Sequence, residues 1–150
     1  MFEGVYMEFR VASKYSEFAD MELLRCDVFG LEKSISPYYE DRFENHKTFF
    51  LGAYENNQLV GALYFSPFLY NTGIVDMLFV RKDHQDTDLH IGSALLAYIE
   101  IHNEDICDYF NYLSIDKYLI SPASEKSERL YKHRGYRKTG LDGTFYKRMN

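Results

Sequence analysis

The segment from Val80 to Leu96, VRKDHQDTDLHIGSALL, contains a loop that runs into a helix and could bind an anion. Free N–H groups at a helix start attract phosphates, and glycines in such loops permit positive φ and close backbone approach. Here Gly92 is the one glycine, and His90 stands where a second is expected. Exposed amides attract anions without glycine, so His90 must adopt the left-handed conformation or the loop must bulge. A decayed anion site and an ordinary strand–loop–helix joint are the alternatives.

The same segment carries four alternating side chains of metal-ligand type: His84, Asp86, Asp88 and His90. Alternate residues share one side only on a strand, and this stretch is too polar to be a buried strand. We therefore expect no metal. Cys26 and Cys107 are isolated and lack the spacing of a metal or redox motif, so free buried thiols are expected.

Hydrophobic patterns assign these residues to regular elements. Strands are predicted at 5–12, in TFFLGAYE, QLVGALYFS and GIVDMLFV, at 117–121, and on both sides of an Asp142-Gly143 turn. Further turns are predicted at Asn56-Asn57 and around Asn71-Thr72-Gly73. Helices are predicted from a Ser13 or Ser16 cap to Gly30, over SPYYEDRFENH with Pro37 in the first turn, from Asp88 to about Glu104, and over 124–133 with Ser121 or Ser124 as cap and Gly135 just beyond.

This order of elements predicts an α/β fold. An antiparallel meander that continues into a strand–helix–strand crossover forms a mixed, largely antiparallel sheet, here of about seven strands flanked by about four helices. No repeat, low-complexity tract or linker divides the sequence. We therefore expect residues 1–150 to form a single domain.

The order of elements and two local motifs resemble the GNAT superfamily of N-acetyltransferases over essentially the whole chain. The first motif is MLFVRKDHQDTDLHIGSALL, residues 77–96. In that family the strand end binds the pantetheine arm of acetyl-CoA, and the loop and helix start bind its pyrophosphate. The resemblance implies acetyl-CoA contacts at Leu78, Phe79, Val80, Gln85, His90, Ile91, Gly92 and Ser93. Gln85 matches the family's loop glutamine only if two extra residues are allowed, and otherwise Thr87 takes its place.

The second motif is SEKSERLYKHRGY, residues 124–136, which resembles the family pattern Asn-x-x-Ala-x-x-x-Tyr-x-x-x-Gly-Phe. Five positions agree in kind: Ser124, Ser127, Tyr131, Gly135 and Tyr136. The resemblance implies that Ser124 contacts acetyl-CoA and that Tyr131 lies beside the thioester sulfur. Without the resemblance, Tyr131 would be interpreted as a core or rim residue of an amphipathic helix.

A third, weaker similarity concerns the acceptor side. LRCDVFGLE, residues 24–32, is similar to a Leu-Arg-x-x-Val-Phe-x-x-Glu stretch in the first helix of some members, where the helices border the acceptor groove. The resemblance implies acceptor contacts at Glu32, with Tyr38 and Tyr39 as further candidates. Arg25 and Glu32 could instead do no more than cap and pair.

The chemistry that the resemblance implies is acyl transfer from a thioester to an amine. An alkylamine with a pKa near ~10 must lose a proton before it attacks, and the departing thiolate must gain one. A backbone N–H of Leu78 or Phe79 could stabilise the oxyanion, and the Tyr131 phenol could donate the proton to the thiolate.

Asp76 is the one carboxylate inside the apolar strand run GIVDMLFV. Attracting or deprotonating an amine is one reason for a carboxylate there, and a structural acid that is hydrogen-bonded or exposed at an edge is the other. Strand alternation places Asp76 on the face of Leu78 and Val80 unless a bulge intervenes.

Composition restricts the partners and the compartment. The net charge of −6 argues against nucleic acid, and residues 131–150 carry six Lys or Arg and one acid, so the acidic excess lies in the first 130 residues. No apolar run approaches the ~20 residues of a membrane span, so no membrane partner is expected. The N-terminus lacks the pattern of a secretory signal, so we expect a cytoplasmic protein.

These observations favour an N-acetyltransferase with acetyl-CoA as co-substrate and a small-molecule or peptide amine as acceptor. Neither cysteine falls in a motif, so direct attack in a ternary complex is expected. The alternative is a catalytically degenerate acyl-CoA-binding or regulatory module, which the missing glycine and the two loop acids suggest. The oligomeric state is left open, with a homodimer as one option.

Overall fold

A single seven-stranded sheet organises the computed structural model, which describes residues 7–85, 90–111, 114–140 and 143–149. The strands are β1 (Met7–Val11), β2 (Phe49–Glu55), β3 (Gln58–Phe68), β4 (Thr72–Val80), β5 (Lys117–Ile120), β6 (Arg137–Lys138) and β7 (Phe145–Arg148). The helices are α1 (Tyr15–Phe29), α2 (Pro37–Glu44), α3 (Ile91–Ile101), α4 (Asn103–Phe110) and α5 (Glu125–His133), with a 3₁₀ turn at Lys82–His84. The mixed α/β fold predicted from the sequence is confirmed.

The sheet has the order β1-β2-β3-β4-β5-β7-β6, in which β4 and β5 run parallel and the other described neighbours run antiparallel. Asn56 and Asn57 both adopt positive φ between β2 and β3, as a tight hairpin turn requires. The next hairpin turns at Tyr70 and Asn71, with φ of 58° at both, and Thr72 and Gly73 already belong to β4. That turn therefore lies slightly earlier than predicted.

The helix ends agree with the predicted caps, except at the start of α1. α1 ends at Gly30, where φ is 66°, as predicted. Its N-cap is Lys14, not Ser13 or Ser16, because the Glu17 carboxylate reaches back to accept from the backbone N–H groups of Ser13 and Lys14. For α5, Ser124 is the cap: its Oγ accepts from the N–H of Ser127 at 3.1 Å.

The helix predicted from Asp88 to about Glu104 is interrupted at His102, and a fifth helix, α4, follows. Asp88 itself lies outside the described residues. Asn103 is held by long-range bonds that no periodicity reveals: its Nδ2 donates to the carbonyl of Ile115 at 2.8 Å, and its Oδ1 accepts from the Tyr118 hydroxyl at 2.6 Å. These tertiary contacts are made by the first residue of α4, directly after the break.

The helices pack on the sheet through two hydrophobic clusters, one on each face. α3, α4 and α5 pack on one face against side chains that include Leu51, Leu63 and Val75. α1 and α2 pack on the other face, against side chains such as Phe50 and Tyr64. Among the described residues, no helix combines the length and apolar character needed to cross a membrane.

β4 and β5 separate part way along their length. Their pairing runs only from Thr72 with Lys117 to Val75 with Ile120, whereas β4 continues beside β3 as far as Val80. The end of β4 therefore has no β5 residue beside it, and the sheet opens into a cleft there.

Candidate active site

A cavity of about 600 Å³ fills this cleft between the end of β4, the start of α3 and one face of α5. Its wall contains all nine residues predicted to contact acetyl-CoA, together with Tyr131: Leu78, Phe79, Val80, Gln85, His90, Ile91, Gly92, Ser93 and Ser124. The structure thus brings together two motifs, residues 77–96 and 124–136, that are separated by 27 residues of the chain. Asp76, Glu32, Tyr38 and Tyr39 lie outside this wall.

Seven further residues, which were not predicted to do so, also line the cavity: Val28, Phe29, His84, Ala123, Lys126, Ser127 and Leu130. Helical spacing alone could have identified Ser127, because it lies three residues after Ser124 and four before Tyr131 on α5. Val28 and Phe29 come from the end of α1, where the Phe29 ring lies 6.1 Å from that of Phe79. Val28 and Phe29 both lie in the stretch 24–32 that was expected to border the acceptor groove, and the fold brings them to this cavity as well.

At the start of α3, His90 adopts the left-handed conformation, with φ of 47° and ψ of 53°. Its side chain is exposed, so it does not fill the cleft. Its carbonyl accepts from the N–H of Ala94 at 3.0 Å, while the amides of Ile91, Gly92 and Ser93 belong to the first turn and have no carbonyl within the helix to bond. His90 thus adopts the left-handed conformation, the first of the two predicted alternatives. The loop acids Asp86 and Asp88 lie outside the described residues.

Gly92 lets α3 and α5 approach each other. A Cβ at this position would lie 3.3 Å from Cδ2 of Leu130 and 3.9 Å from Cγ2 of Val80. An alanine would therefore press on Leu130 in the cavity wall. At the strand end, Gln85 donates from Nε2 to the carbonyl of Val80 at 2.8 Å, which ties the loop to β4.

Tyr131 is buried at the cavity wall with 4% of its surface exposed. Burial raises the pKa of its phenol to about 12, and the Ser127 hydroxyl beside it offsets part of that rise. The phenol is therefore protonated at any pH near neutrality, which suits a proton donor.

Asp76 lies at a β-bulge in β4, which changes the face predicted by strand alternation. Tyr64 pairs with Met77 and Phe65 with Val75, so Asp76 has no partner on β3. Its Oδ2 accepts from the Ser66 hydroxyl, and the connected hydroxyls lead to Arg42 of α2. Leu78 and Val80 instead pack with the α3 cluster, on the opposite face of the sheet.

Burial raises the pKa of the Asp76 carboxyl, while the Ser66 hydrogen bond and the positive charge of Arg42 oppose that rise. Near it, burial and the charge of Asp76 raise the pKa of Tyr39 to about 12. Two roles were predicted for Asp76. Its hydrogen bond to Ser66 fits a structural acid, whereas its partial exposure fits a carboxylate that an amine can reach.

Among the acceptor-side candidates, the rings of Tyr38 and Tyr39 on α2 contact each other, with 5.1 Å between their centroids. Glu32 is exposed beyond the end of α1, and the Tyr38 ring is 61% exposed. Tyr39 is half-buried, with its ring 4.9 Å from that of Tyr64. Arg25 does not pair with Glu32 but with a residue that none of the sequence motifs contains.

That residue is Glu22, a fully buried carboxylate at the centre of a hydrogen-bond network. It accepts from Nε of Arg25 at 2.9 Å, from the N–H of Ser36 at 2.9 Å and from the Tyr64 hydroxyl at 2.7 Å. Its position on the apolar side of α1, next to Met21, is the sequence feature that could have indicated a buried carboxylate. The network ties α1 to the start of α2 and to β3.

Within the described parts of the chain, no group of three or more His, Cys, Asp or Glu side chains could hold a metal ion. His84 instead shares hydrogen bonds with Asp83 at 2.6 Å and Glu55 at 3.3 Å. Cys26 and Cys107 are both buried free thiols, as expected, and neither is part of the cavity wall.

Comparison with known proteins identifies the family. Residues 46–138, well over half of the chain, match the model of the acetyltransferase (GNAT) domain. No curated protein matches the sequence significantly. Three similar solved structures are a putative N-acetyltransferase from Lactobacillus plantarum, the PaiA N-acetyltransferase from Thermoplasma acidophilum in complex with coenzyme A, and an AtaT–AtaR complex bound to DNA.

The first is 19% identical, with a TM-score of 0.71 over 96% of this chain and 99% of that one. The second is 16% identical, with a TM-score of 0.64 over 95% and 99%. The third is 12% identical, with a TM-score of 0.69 over 95% and 94%. These likenesses concern the fold, and together with the matched domain they lead to one conclusion: the chain belongs to the GNAT acetyltransferase family.

Proposed function

We propose that the protein transfers an acetyl group from acetyl-CoA to a primary amine by direct attack in a ternary complex. The observation that carries this proposal is the cavity wall, which gathers the end of β4, the start of α3 and the Tyr131 face of α5 around one volume of about 600 Å³. Cavities of this size are typical of sites for small molecules.

The residues present suit a thioester of coenzyme A. The first amides of α3 and the positive end of its dipole favour a pyrophosphate, and Lys126 adds positive charge at the wall. The backbone of β4 beyond Val75 has no pairing with β5, so it can bond a pantetheine arm. Ser124 and Ser127 supply hydroxyls at the N-terminus of α5.

Each chemical step has a candidate group in the chain. The amine attacks the thioester carbonyl, and an N–H of Leu78 or Phe79 stabilises the oxyanion that forms. The carbon–sulfur bond then breaks with its electron pair on sulfur, the phenol of Tyr131 donates a hydrogen bond to the leaving thiolate, and the thiolate takes up a proton from solvent. No protein nucleophile is needed, in keeping with the burial of both cysteines outside the cavity wall.

For the acceptor, we propose that Asp76 attracts the amine and accepts its proton, with Glu32, Tyr38 and Tyr39 near its path. Partial burial and the raised pKa make this carboxyl a stronger base than an exposed aspartate. A small-molecule or peptide amine suits the acidic first 130 residues. One structural relative is bound to DNA, but the net charge of −6 argues against nucleic acid as partner here.

The direct test is CoA release, measured with a thiol reagent, from acetyl-CoA and a panel of primary amines. A reaction without amine controls for hydrolysis. Binding is tested separately, because a ligand at ~100 times its dissociation constant stabilises a folded protein by about 2.7 kcal/mol and visibly raises Tm. A rise in Tm without CoA release for any amine would identify an acyl-CoA-binding module, and neither effect would contradict both functions.

A further inference from the structure

Three side chains connect Asp76 to α2 through consecutive hydrogen bonds. Nε of Arg42 donates to Oγ1 of Thr48 at 2.6 Å, Oγ1 of Thr48 lies 2.8 Å from Oγ of Ser66, and the Ser66 hydroxyl donates to Oδ2 of Asp76. The two hydroxyl residues are buried, with 1% of Thr48 and 4% of Ser66 exposed. Water therefore does not compete freely for these bonds.

The chemistry of the two ends determines the direction of the bonds. Arginine can only donate, and an ionised carboxylate can only accept. Since the single hydrogen of Ser66 goes to Asp76, Thr48 must donate its own hydrogen to Ser66 and accept from Arg42. If Asp76 were protonated and donated to Ser66, the Ser66 hydrogen could turn to Thr48, and the Thr48 hydrogen would then lose its acceptor in this chain of bonds. The ionised form of Asp76 is therefore the one that uses every hydrogen of the chain.

We propose that Arg42, Thr48 and Ser66 form a one-way hydrogen-bond relay that keeps Asp76 ionised and oriented, so that Asp76 can accept the proton of the amine. The three are positioning residues, because they act through Asp76. This inference rests on the proposed function, in which Asp76 is the base. The relay ends on Oδ2, which leaves Oδ1 outside it.

The surroundings of Asp76 set two opposing effects. Burial favours the neutral carboxyl, whereas the Ser66 bond and the Arg42 charge favour the ionised form. Among the described residues, the charged and titratable groups that face Asp76 are Arg42 and Tyr39, both on α2. Glu22 and Arg25 shift the pKa of Tyr39 in opposite directions and form an ion pair with each other. Loss of the relay should therefore raise the pKa of Asp76, so that the base becomes protonated as the pH falls.

A purely structural role for the same bonds makes a different prediction. The relay also connects α2 to β3, and Arg42 donates a second bond from its guanidinium to the carbonyl of Lys47 at 3.0 Å. If the bonds only stabilised the fold, breaking them would lower activity by the same factor at every pH.

The experiment compares kcat/KM with one amine from pH 6 to 9 for the parent, Ser66→Ala, Thr48→Val and Thr48→Ser. Thr72→Val is the matched control, because Thr72 is a buried threonine of β4 whose hydroxyl donates to the carbonyl of Tyr70. Comparison with the parent at each pH removes the contribution of the amine's own titration.

Ser66→Ala should lose kcat/KM by up to about tenfold at low pH and progressively less toward pH 9, because the lost hydrogen bond raises the pKa of Asp76 and more of the carboxyl is protonated at low pH. Thr48→Val should lose less, with the same pH dependence. Thr48→Ser should restore the parental profile, and Thr72→Val should show no pH-dependent change. Equal loss at all pH values in Ser66→Ala, or no loss, would overturn the relay.

A second measurement separates failure of the relay from failure of the proposed function. Titration of the Asp76 carboxyl by ¹³C NMR needs no activity. A higher pKa in Ser66→Ala and Thr48→Val, but not in Thr72→Val, supports the relay even if no amine is acetylated. An unchanged titration overturns it. If acetylation occurs and Asp76→Asn keeps the parental pH profile, Asp76 is not the base and the relay has no catalytic role.

Discussion

Replacing Tyr131 with phenylalanine removes one hydroxyl from the wall of the cavity and keeps the ring in the core. The side chain is only 4% exposed, and its ring lies 6.2 Å from that of Tyr136. The fold loses the interaction of the phenol with Ser127, a contribution of about 1 kcal/mol at most. Tm should therefore change little.

The size of the kinetic effect follows from the pKa of about 12 that burial gives Tyr131. A free thiol has a pKa of about 8.5, so complete transfer of the phenol proton to the thiolate is uphill by about 5 kcal/mol. Tyr131 should therefore act mainly by a strong hydrogen bond to the developing thiolate. A bond to a charged group contributes about 1.5–3 kcal/mol, so kcat should fall about 10- to 150-fold.

The assay is steady-state CoA release with a good amine acceptor, with Tyr136→Phe as the matched control. Tyr136 is a buried tyrosine whose hydroxyl donates to Oε2 of Glu100 at 3.1 Å, and it is not part of the cavity wall. The control should keep kcat within about threefold. In Tyr131→Phe the KM for acetyl-CoA should change less than kcat, since the lost bond strengthens in the transition state.

The pH profile gives a further check. Because the pKa of Tyr131 is about 12, its ionisation should not lower kcat anywhere below about pH 11. If Tyr131→Phe keeps more than about half of the parental kcat while chemistry is rate-limiting, the side chain is only part of the cavity wall. A loss of equal size in Tyr136→Phe would mean that packing, not the hydroxyl, explains the effect.

Three other substitutions test the site and the fold. His90→Gly should keep or tighten the affinity for acetyl-CoA in a binding titration, because glycine adopts positive φ freely. The control is His46→Gly, at another exposed histidine with positive φ, which should leave that affinity unchanged. Loss of binding in His90→Gly would mean that the imidazole itself binds the cofactor. Asp76→Asn should lower turnover most at low pH, where more of the amine is protonated. Equal rates for the mutant and the parent across pH 6–9 would show that Asp76 has no catalytic role. Glu22→Ala should lower the free energy of unfolding by about 3 kcal/mol or more in urea denaturation, because it leaves the guanidinium of Arg25 without its carboxylate, and a loss under about 1 kcal/mol would show that the network contributes little.

Local sequence signals determined most of the elements and one side of the site. Period-two alternation, the Asn56-Asn57 turn and Gly30 gave strands and ends close to those observed, because each depends on the φ and side-chain chemistry of a few neighbouring residues. The two motifs that resemble the family led to ten residues that now line one cavity. Such motifs can be recognised in the sequence because a strand end and a helix start present their backbone groups in a fixed local geometry.

The tertiary structure decided what depends on contacts between distant segments. The bulge at Asp76 moved its carboxyl to the α2 face, and only the pairing of β3 with β4 reveals it. The burial of Glu22 and the break before Asn103 depend on partners between 12 and 42 residues away. The raised pKa of Tyr131 likewise depends on burial by the assembled core. The sequence alone could name these side chains, but the register of the sheet and the packing of the helices determined their surroundings, because hydrogen-bond partners and desolvation are set by three-dimensional neighbours.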